Sequence, residues 1–342
     1  MRSHSLTLER PNAYVPHEAE IVRRVQESKT IFTLYLRFTD PLVHANYTYD
    51  PGQFNMLYLY GVGEVAISIV SDPEHEDLLV HTINRVGRVT RGLHELKEGQ
   101  RLGIRGPFGR GWPLREAEGS DVIIVSGGLG CAPVVSVINH MIRRRERFGH
   151  FTIVQKVKHV DEFIWPERYE RWKALPDTTV LVASTEGSAN WRWQVSGRIK
   201  VLDEVVVRSE RTVAMLCGPG GFMGSAAEHL ASKGVPEESI FLSTERNMQC
   251  AVGHCGHCQF GATFICKEGP IYPYPAIKNL LDVEGFFEPL LAALDHGVRE
   301  GFLNPAHREL LMREGSVEAL LDRLEGWKPS AGVPKWDQPL ER

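Results

Sequence analysis

The chain has 342 residues, 42% of them hydrophobic, and its 39 Lys and Arg against 43 Asp and Glu leave a formal charge of −4. This is the composition of a folded chain of two or three domains, and its weak field points away from nucleic acid and anionic membrane surfaces as partners. No apolar stretch reaches the ~20 residues that span a bilayer, and the polar start MRSHSLTLERPNAY lacks the apolar core of a signal peptide, so a cytoplasmic location is expected.

From Glu18 to about Trp112 the pattern is one of short strands. Ile31–Thr39 alternates apolar and polar side chains, Pro51-Gly52-Gln53 opens a strand over Phe54–Tyr60, and Glu64–Val70 and Leu78–Arg85 follow between turn residues. Thr90–Lys97 has helical spacing, with Thr90 expected as its N-cap. Short strands with one helix predict a closed antiparallel barrel rather than a βαβ unit. Two places in it suit a cofactor. Gly87-Arg88-Val89-Thr90 sets a glycine before a helix N-terminus, where free N–H groups and the dipole favour a phosphate. Ser68 is expected as an inward strand residue able to bond a flavin ring.

At Asp121 the period changes. Val122–Ser126 is a continuous apolar run, as expected for a strand buried on both faces. It leads through Gly127-Gly128-Leu129-Gly130-Cys131-Ala132-Pro133 into an amphipathic helix, Val134–Arg145. Strand, glycine turn and helix form the phosphate-cradling unit of open α/β sheets. Further strands are predicted at Phe151–Lys158, Thr179–Thr185, Thr212–Leu216 and Ser239–Thr244, giving a doubly wound parallel sheet of five strands. The G-x-G-x-x-G fingerprint is not met, and Lys156 and Lys158 stand where an NAD-type acid would. A second turn, Cys217-Gly218-Pro219-Gly220-Gly221-Phe222-Met223, follows another buried strand and faces the same crevice. Cys131 is expected as a small packing residue.

Four cysteines then crowd into seventeen residues: Cys250, Cys255, Cys258 and Cys266, spaced C-x4-C-x2-C-x7-C. The first three reproduce the plant-type [2Fe–2S] spacing. Gly253, Gly256 and Gly261 let backbone amides turn toward cluster sulfurs. Zinc and a disulfide pair are the alternatives; zinc sites usually use two separated knuckles, and only one short knuckle is present here.

In this order the segments resemble the ferredoxin–NADP reductase superfamily over about residues 15–275. Within it they are similar to the gamma (diaphorase) subunit of cytoplasmic NiFe hydrogenases and sulfhydrogenases and its relative in anaerobic sulfite reductase. The segments Val86–Trp112, Ser126–Pro133, Cys217–Met223 and Ser243–Gly261 carry the likeness. The electron-transfer subunit of dihydroorotate dehydrogenase shares the plan, usually with a wider gap before its fourth cysteine. The resemblance implies an FAD-binding β-barrel at 15–114, an NAD(P)-binding α/β domain at 118–245 and a [2Fe–2S] segment at 246–275. The cysteines are then expected to follow the last strand of the nucleotide domain.

It further implies that Ala66, Ile67, Ser68, Ile83 and Arg85 hold FAD together with Gly87, Val89 and Thr90, the last three at its pyrophosphate. Gly128, Gly130 and Pro133 would shape the nucleotide phosphate site. Cys217, in the catalytic position, would line the nicotinamide pocket with Gly218, Pro219, Gly221, Phe222 and Met223. Cys250, Cys255, Cys258 and Cys266 would hold the cluster. The implied activity is an NAD(P)H oxidoreductase subunit that passes electrons through FAD and the cluster to or from a hetero-oligomeric redox partner, without an acid–base triad. Ser184-Thr185-Glu186 departs from the family pattern at the loop that reads the nucleotide 2′ position, which leaves NAD versus NADP open. A different class, a nucleotide-binding or phosphoribohydrolase-like protein with structural zinc, is the competing expectation.

About sixty further residues form a tail, 276–342. Gly285–Leu311 and Ser316–Trp327 have helical periodicity and resemble the C-terminal part of LOG-family proteins. Pro219–Glu228 only superficially resembles that family's catalytic PGGxGTxxE motif. A helical cap or a partner-docking surface is expected.

Overall fold

The computed structural model describes residues 12–74, 76–197, 199–208, 210–281, 288–303 and 305–308. Two compact units divide the chain, Met1–Lys278 and Asn279–Arg342.

The first unit opens with strands β1 (His17–Gln26) and β2 (Ile31–Phe38), then a short helix α1 (Pro41–Asn46) capped by the Asp40 carboxylate. Strands β3 (Phe54–Leu59), β4 (Gly63–Ser68) and β5 (Leu79–Asn84), helix α2 (Arg88–Glu95) and strand β6 (Arg101–Phe108) complete the lobe. Its six strands pair antiparallel in the order β4-β3-β6-β1-β2-β5. The edges are drawn together where Val70 N–H donates to the Val80 carbonyl and His81 Nδ1 donates to the Ser68 carbonyl. Ile21, Phe32, Leu34, Leu57, Ile83, Leu93 and Leu102 fill the interior, while α2 plugs one end with Leu93.

A short helix α3 (Leu114–Ala117) leads to β7 (Asp121–Gly127), the 3-10 turn Gly128–Gly130 and helix α4 (Cys131–Arg143). Then come β8 (Phe151–Val157), α5 (Pro166–Lys173), β9 (Thr178–Ser184), β10 (Gln194–Val195), β11 (Thr212–Cys217), α6 (Gly220–Ser232) and β12 (Ile240–Ser243). After the cysteine loop, with its small hairpin β13 (Gln259–Phe260) and β14 (Thr263–Phe264), come β15 (Ile271–Pro273) and α7 (Tyr274–Leu281). The sheet order is β10-β9-β8-β7-β11-β12-β15. The sheet thus has seven strands rather than five. Two-residue β10 extends the parallel set, and β15 adds an antiparallel edge against β12. The cysteine segment therefore precedes the last strand instead of following it. The sheet continues beyond the loop, so the loop is held at both ends. The two lobes share apolar packing: Ile31, Val70, Val80 and Trp112 of the first lobe join the core of the second.

In the second unit, α8 (Glu288–Arg299) and α9 (Pro305–Arg308) are separated by a turn at Gly301, which has a left-handed φ of 76°. The expected continuous helix over 285–311 is therefore interrupted. Arg308 Nε pairs with Asp295 across the turn. The helix expected over Ser316–Trp327 lies outside the described residues.

Candidate functional site: glycine turns, a strand and a cysteine loop

Helix α2 begins at Arg88, with Gly87 as its N-cap in extended geometry. Thr90 is thus not the cap but the third helical residue. From there its hydroxyl accepts the N–H of Gly87 at 2.8 Å and of Val86 at 3.1 Å, and donates to the Gly87 carbonyl. This back-bonding does the work of a cap side chain that glycine lacks. Arg91 N–H closes on the Gly87 carbonyl, so helix geometry leaves the amides of Arg88, Val89 and Thr90 without intrahelical acceptors. The site fits a phosphate anion.

Strand β4 carries Ala66, Ile67 and Ser68. Val65 and Ile67 pack on the first lobe's core, so by strand alternation Glu64, Ala66 and Ser68 face the other way. Ser68 is therefore outward, not inward. The Ile67 and Ile83 side chains pack in the core. Arg85 follows β5, half-buried, its N–H bonded to the Thr30 carbonyl.

The two glycine turns of the second lobe are packed backbone to backbone. A Cβ on Gly130 would stand 2.3 Å from the Cys217 carbonyl oxygen, and one on Gly218, where φ is +153°, would lie 3.1 Å from Gly127 backbone atoms. Phe222, in the first turn of α6, covers Gly127, so its ring closes the gap between the turns. Met223 is buried beside it. Pro219 caps α6 by accepting the N–H groups of Phe222 and Met223, and Ser225 Oγ donates to the Gly221 carbonyl. The Pro133 carbonyl accepts Trp112 Nε1 at 3.3 Å, tying the first lobe to this cradle. These turns stand at the carboxyl ends of β7 and β11, where open α/β sheets take their ligands.

Cys217 is buried, and burial pushes its thiol well above the usual range; Glu245 adds to this, and a hydrogen bond with Ser243 only partly offsets it. Burial thus favours the neutral thiol at this turn. Cys131, also buried, has its thiol pushed up to about 12 by burial and packs in the core. Lys156, at the end of β8, is buried with Nζ donating to the Val157 carbonyl and to Thr185 Oγ1 at 2.8 Å. Glu186 is exposed and pairs with His159.

All six cysteines are free thiols in this structure. Cys250 Sγ accepts the N–H groups of Val252, His254 and Cys255 at 3.3–3.5 Å, Cys266 Sγ that of Gly253 at 3.2 Å, and Cys258 Sγ that of Cys266 at 3.5 Å. Burial raises the Cys250 thiol, but these donors outweigh it and bring it down to about 6. Cys258 and Cys266 are buried while Cys255 is exposed at the loop tip. Among the described residues no three His, Cys, Asp or Glu side chains close on a single ion. Backbone amides converging on the sulfurs of Cys250, Cys258 and Cys266 fit an iron–sulfur cluster, whose sulfurs take such bonds.

Comparison with known proteins agrees with this geometry. Residues 124–228 match the oxidoreductase NAD-binding domain, and 245–278 match the iron–sulfur cluster binding domain of dihydroorotate dehydrogenase B. The chain is 32% identical over 269 residues to the sulfhydrogenase 1 subunit gamma of Pyrococcus furiosus, covering 77% of this chain and 92% of that one. It is 31% identical to a probable dihydroorotate dehydrogenase B electron transfer subunit of Methanothermobacter thermautotrophicus, covering 75% and 89% respectively. Among solved structures, an NADH-dependent reduced ferredoxin-NADP oxidoreductase shares the fold with a TM-score of 0.62 at 22% identity, over 84% of this chain and 98% of that one. A ferredoxin NADP+ reductase from Neisseria gonorrhoeae does so with a TM-score of 0.56 at 20% identity, over 66% and 96%. The tail's likeness to LOG-family proteins gains no support from these matches. The chain belongs to the family of ferredoxin–NADP reductase-like, iron–sulfur-binding electron-transfer subunits that includes the sulfhydrogenase gamma subunits and the dihydroorotate dehydrogenase B electron transfer subunits.

Proposed function

We propose that this chain is the NAD(P)H-oxidising or NAD(P)+-reducing electron-transfer subunit of a hetero-oligomeric enzyme, a NiFe hydrogenase or sulfhydrogenase of the cytoplasm. The observation that carries this is the coexistence in one unit of an anion-ready α2 terminus, two fused glycine turns and an amide-rich cysteine loop. Under this reading 15–114 holds FAD, 118–245 the nicotinamide nucleotide, and 246–275 the cluster, with 276–342 as an added tail.

The roles divide by element. Gly87, Val89 and Thr90 receive the FAD pyrophosphate, with Arg85 beside them, and Ala66, Ile67, Ser68 and Ile83 border the ring and its ribityl chain. Gly128, Gly130 and Pro133 receive the nucleotide phosphates, while Cys217, Gly218, Pro219, Gly221, Phe222 and Met223 shape the nicotinamide side of the cleft. When bound, the flavin supplies exchange between two-electron and one-electron transfer and the [2Fe–2S] centre, held by Cys250, Cys255, Cys258 and Cys266, a one-electron exit at a potential of roughly −400 mV for plant-type centres. The protein orients the nucleotide and excludes water; no residue is asked to shuttle a proton.

The test is the visible and EPR spectrum of anaerobically purified protein before and after NADH or NADPH. Flavin bands bleached by nucleotide and a cluster signal are expected; absence of both overturns the proposal in favour of a zinc-holding nucleotide-binding protein. Co-purification of native partners identifies the acceptor.

A further inference from the structure

Arg105, on β6, is a buried guanidinium, 4% exposed, in a strand whose neighbours are apolar. Its Nε and Nη2 grip both oxygens of Glu64 on β4, at 2.9 and 2.8 Å. The remaining donors leave the sheet. Nη1 donates to the Ala13 carbonyl at 2.6 Å and to the Cys250 carbonyl at 3.3 Å, and Nη2 reaches the carbonyls of Cys250 at 3.4 Å and Gln249 at 3.5 Å. All five guanidinium N–H groups are thereby engaged. Its plane also lies near the rings of Tyr14 and Phe108, 5.9 and 5.5 Å from their centroids. Tyr14 in turn reaches over the cysteine loop, its hydroxyl 2.5 Å from His254 Nδ1.

A buried ion pair is weak grounds for a stability role, since desolvation offsets much of the attraction. This one spends its spare donors on the first cysteine of a loop that lies far away in sequence. Glu64 shares a strand face with Ala66 and Ser68. One fork thus joins the strand expected to border the flavin to the carbonyl of the first cluster ligand, and places a positive and a negative charge beside that ligand.

We propose that Arg105, clamped by Glu64, is a positioning residue that anchors the cysteine loop to the flavin lobe and biases the potential of the centre held there. The proposal rests on the cluster reading above. Arg105 favours the reduced, more negative centre, and Glu64 opposes it, because the two charges act with opposite sign at short range and low dielectric.

The test uses the full chain in three variants, Arg105→Gln, Arg105→Lys and Glu64→Gln. EPR-monitored redox titration reads the midpoint, and hydrogen–deuterium exchange reads protection of residues 249–255. We expect Arg105→Gln to shift the midpoint negative and Glu64→Gln to shift it positive. Arg105→Lys should keep the midpoint nearer to wild type while losing protection of the loop, because an ammonium cannot reproduce the fork. Loss of cluster iron with FAD retained in Arg105→Gln also supports the anchoring role. An unchanged midpoint in both charge-removing variants, or unchanged loop protection in Arg105→Gln, overturns the proposal. If Arg105→Gln does not fold, Arg105→Lys and Glu64→Gln decide it by the same two readouts. If the wild-type chain holds no cluster, the functional reading fails, and exchange at 249–255 still tests the anchor.

Discussion

Gly130 lies against the carbonyl of Cys217 so closely that a methyl group there would sit 2.3 Å from the oxygen and 2.6 Å from the carbonyl carbon. Both partners are backbone, so neither can rotate away. Gly130→Ala must push the two glycine turns apart, and NAD(P)H-driven dye reduction should fall at least ~10-fold, equivalent to ~1.4 kcal/mol of barrier. Gly220→Ala, where nothing lies within 4 Å and the residue opens α6, is the control. It should change stability by no more than about 0.5 kcal/mol. Equal activity in the two variants would refute the shared cradle.

Trp112 is the joint between lobes, 5% exposed, with its indole N–H on the Pro133 carbonyl. Trp112→Ala should cost ~3–5 kcal/mol, the range for a large buried aromatic. Trp112→Phe should cost less, since it keeps most of the packing and loses one hydrogen bond. Chemical denaturation followed by far-UV circular dichroism measures both.

Asp72 has a fully buried carboxylate that pairs with Arg143 at the end of α4 and accepts the Glu74 N–H, while Arg143 stays about one-third exposed. Removing the cation strands a buried charge, whereas removing the anion leaves an arginine that can reach water. Arg143→Gln should therefore destabilise more than Asp72→Asn, by about 1–2 kcal/mol. The reverse order in urea midpoints would contradict this account.

His81 is fully buried, and burial holds its imidazole down at about 4 even though backbone carbonyls of Ser68 and Ile67 favour the charged ring. Its Nδ1–H donates to Ser68, and its Nε2 faces the Asn55 amide at 3.3 Å. The folded value lies below the unfolded one, near 6.5, so the unfolded chain binds the extra proton between them. Stability is complete above pH 6.5 and is lost as pH falls toward 4, by about 3 kcal/mol at ~1.4 kcal/mol per pH unit. In His81→Gln the fall between pH 7 and pH 4.5 should be shallower by roughly that order. Urea denaturation at several pH values checks it.

Cys255 is the exposed cysteine at the loop tip. Cys255→Ser should abolish transfer to the partner while leaving NAD(P)H-driven dye reduction by the flavin within about twofold, since the nucleotide turns are untouched. Parallel dye and partner assays test this; equal loss of both would break the serial order.

Much of the fold is legible along the chain because its signals are local. Val122–Val125 reads as a doubly buried strand from composition alone, and its side chains are fully buried or nearly so. The glycine turns read from their place between an apolar run and a helix, and the cysteines from spacing. Other features depend on contacts between distant segments. Thr90 looks like a cap, but the helix starts two residues earlier because its hydroxyl reaches back to Gly87. Ser68 looks inward, but the neighbours that meet the core are Val65 and Ile67. β15 is three residues long, too short to announce itself, and exists because β12 offers it a free edge.

The amino-acid sequence by itself determined the parallel sheet, its two glycine turns and the presence of a four-cysteine loop, since each follows from period, glycine and spacing within a few residues. Only the tertiary structure decided that the loop returns to the sheet through β15 and that Arg105 reaches Cys250. Those contacts join residues far apart in sequence, and a buried charge in a strand has no local pattern to distinguish it from an ordinary solvated arginine.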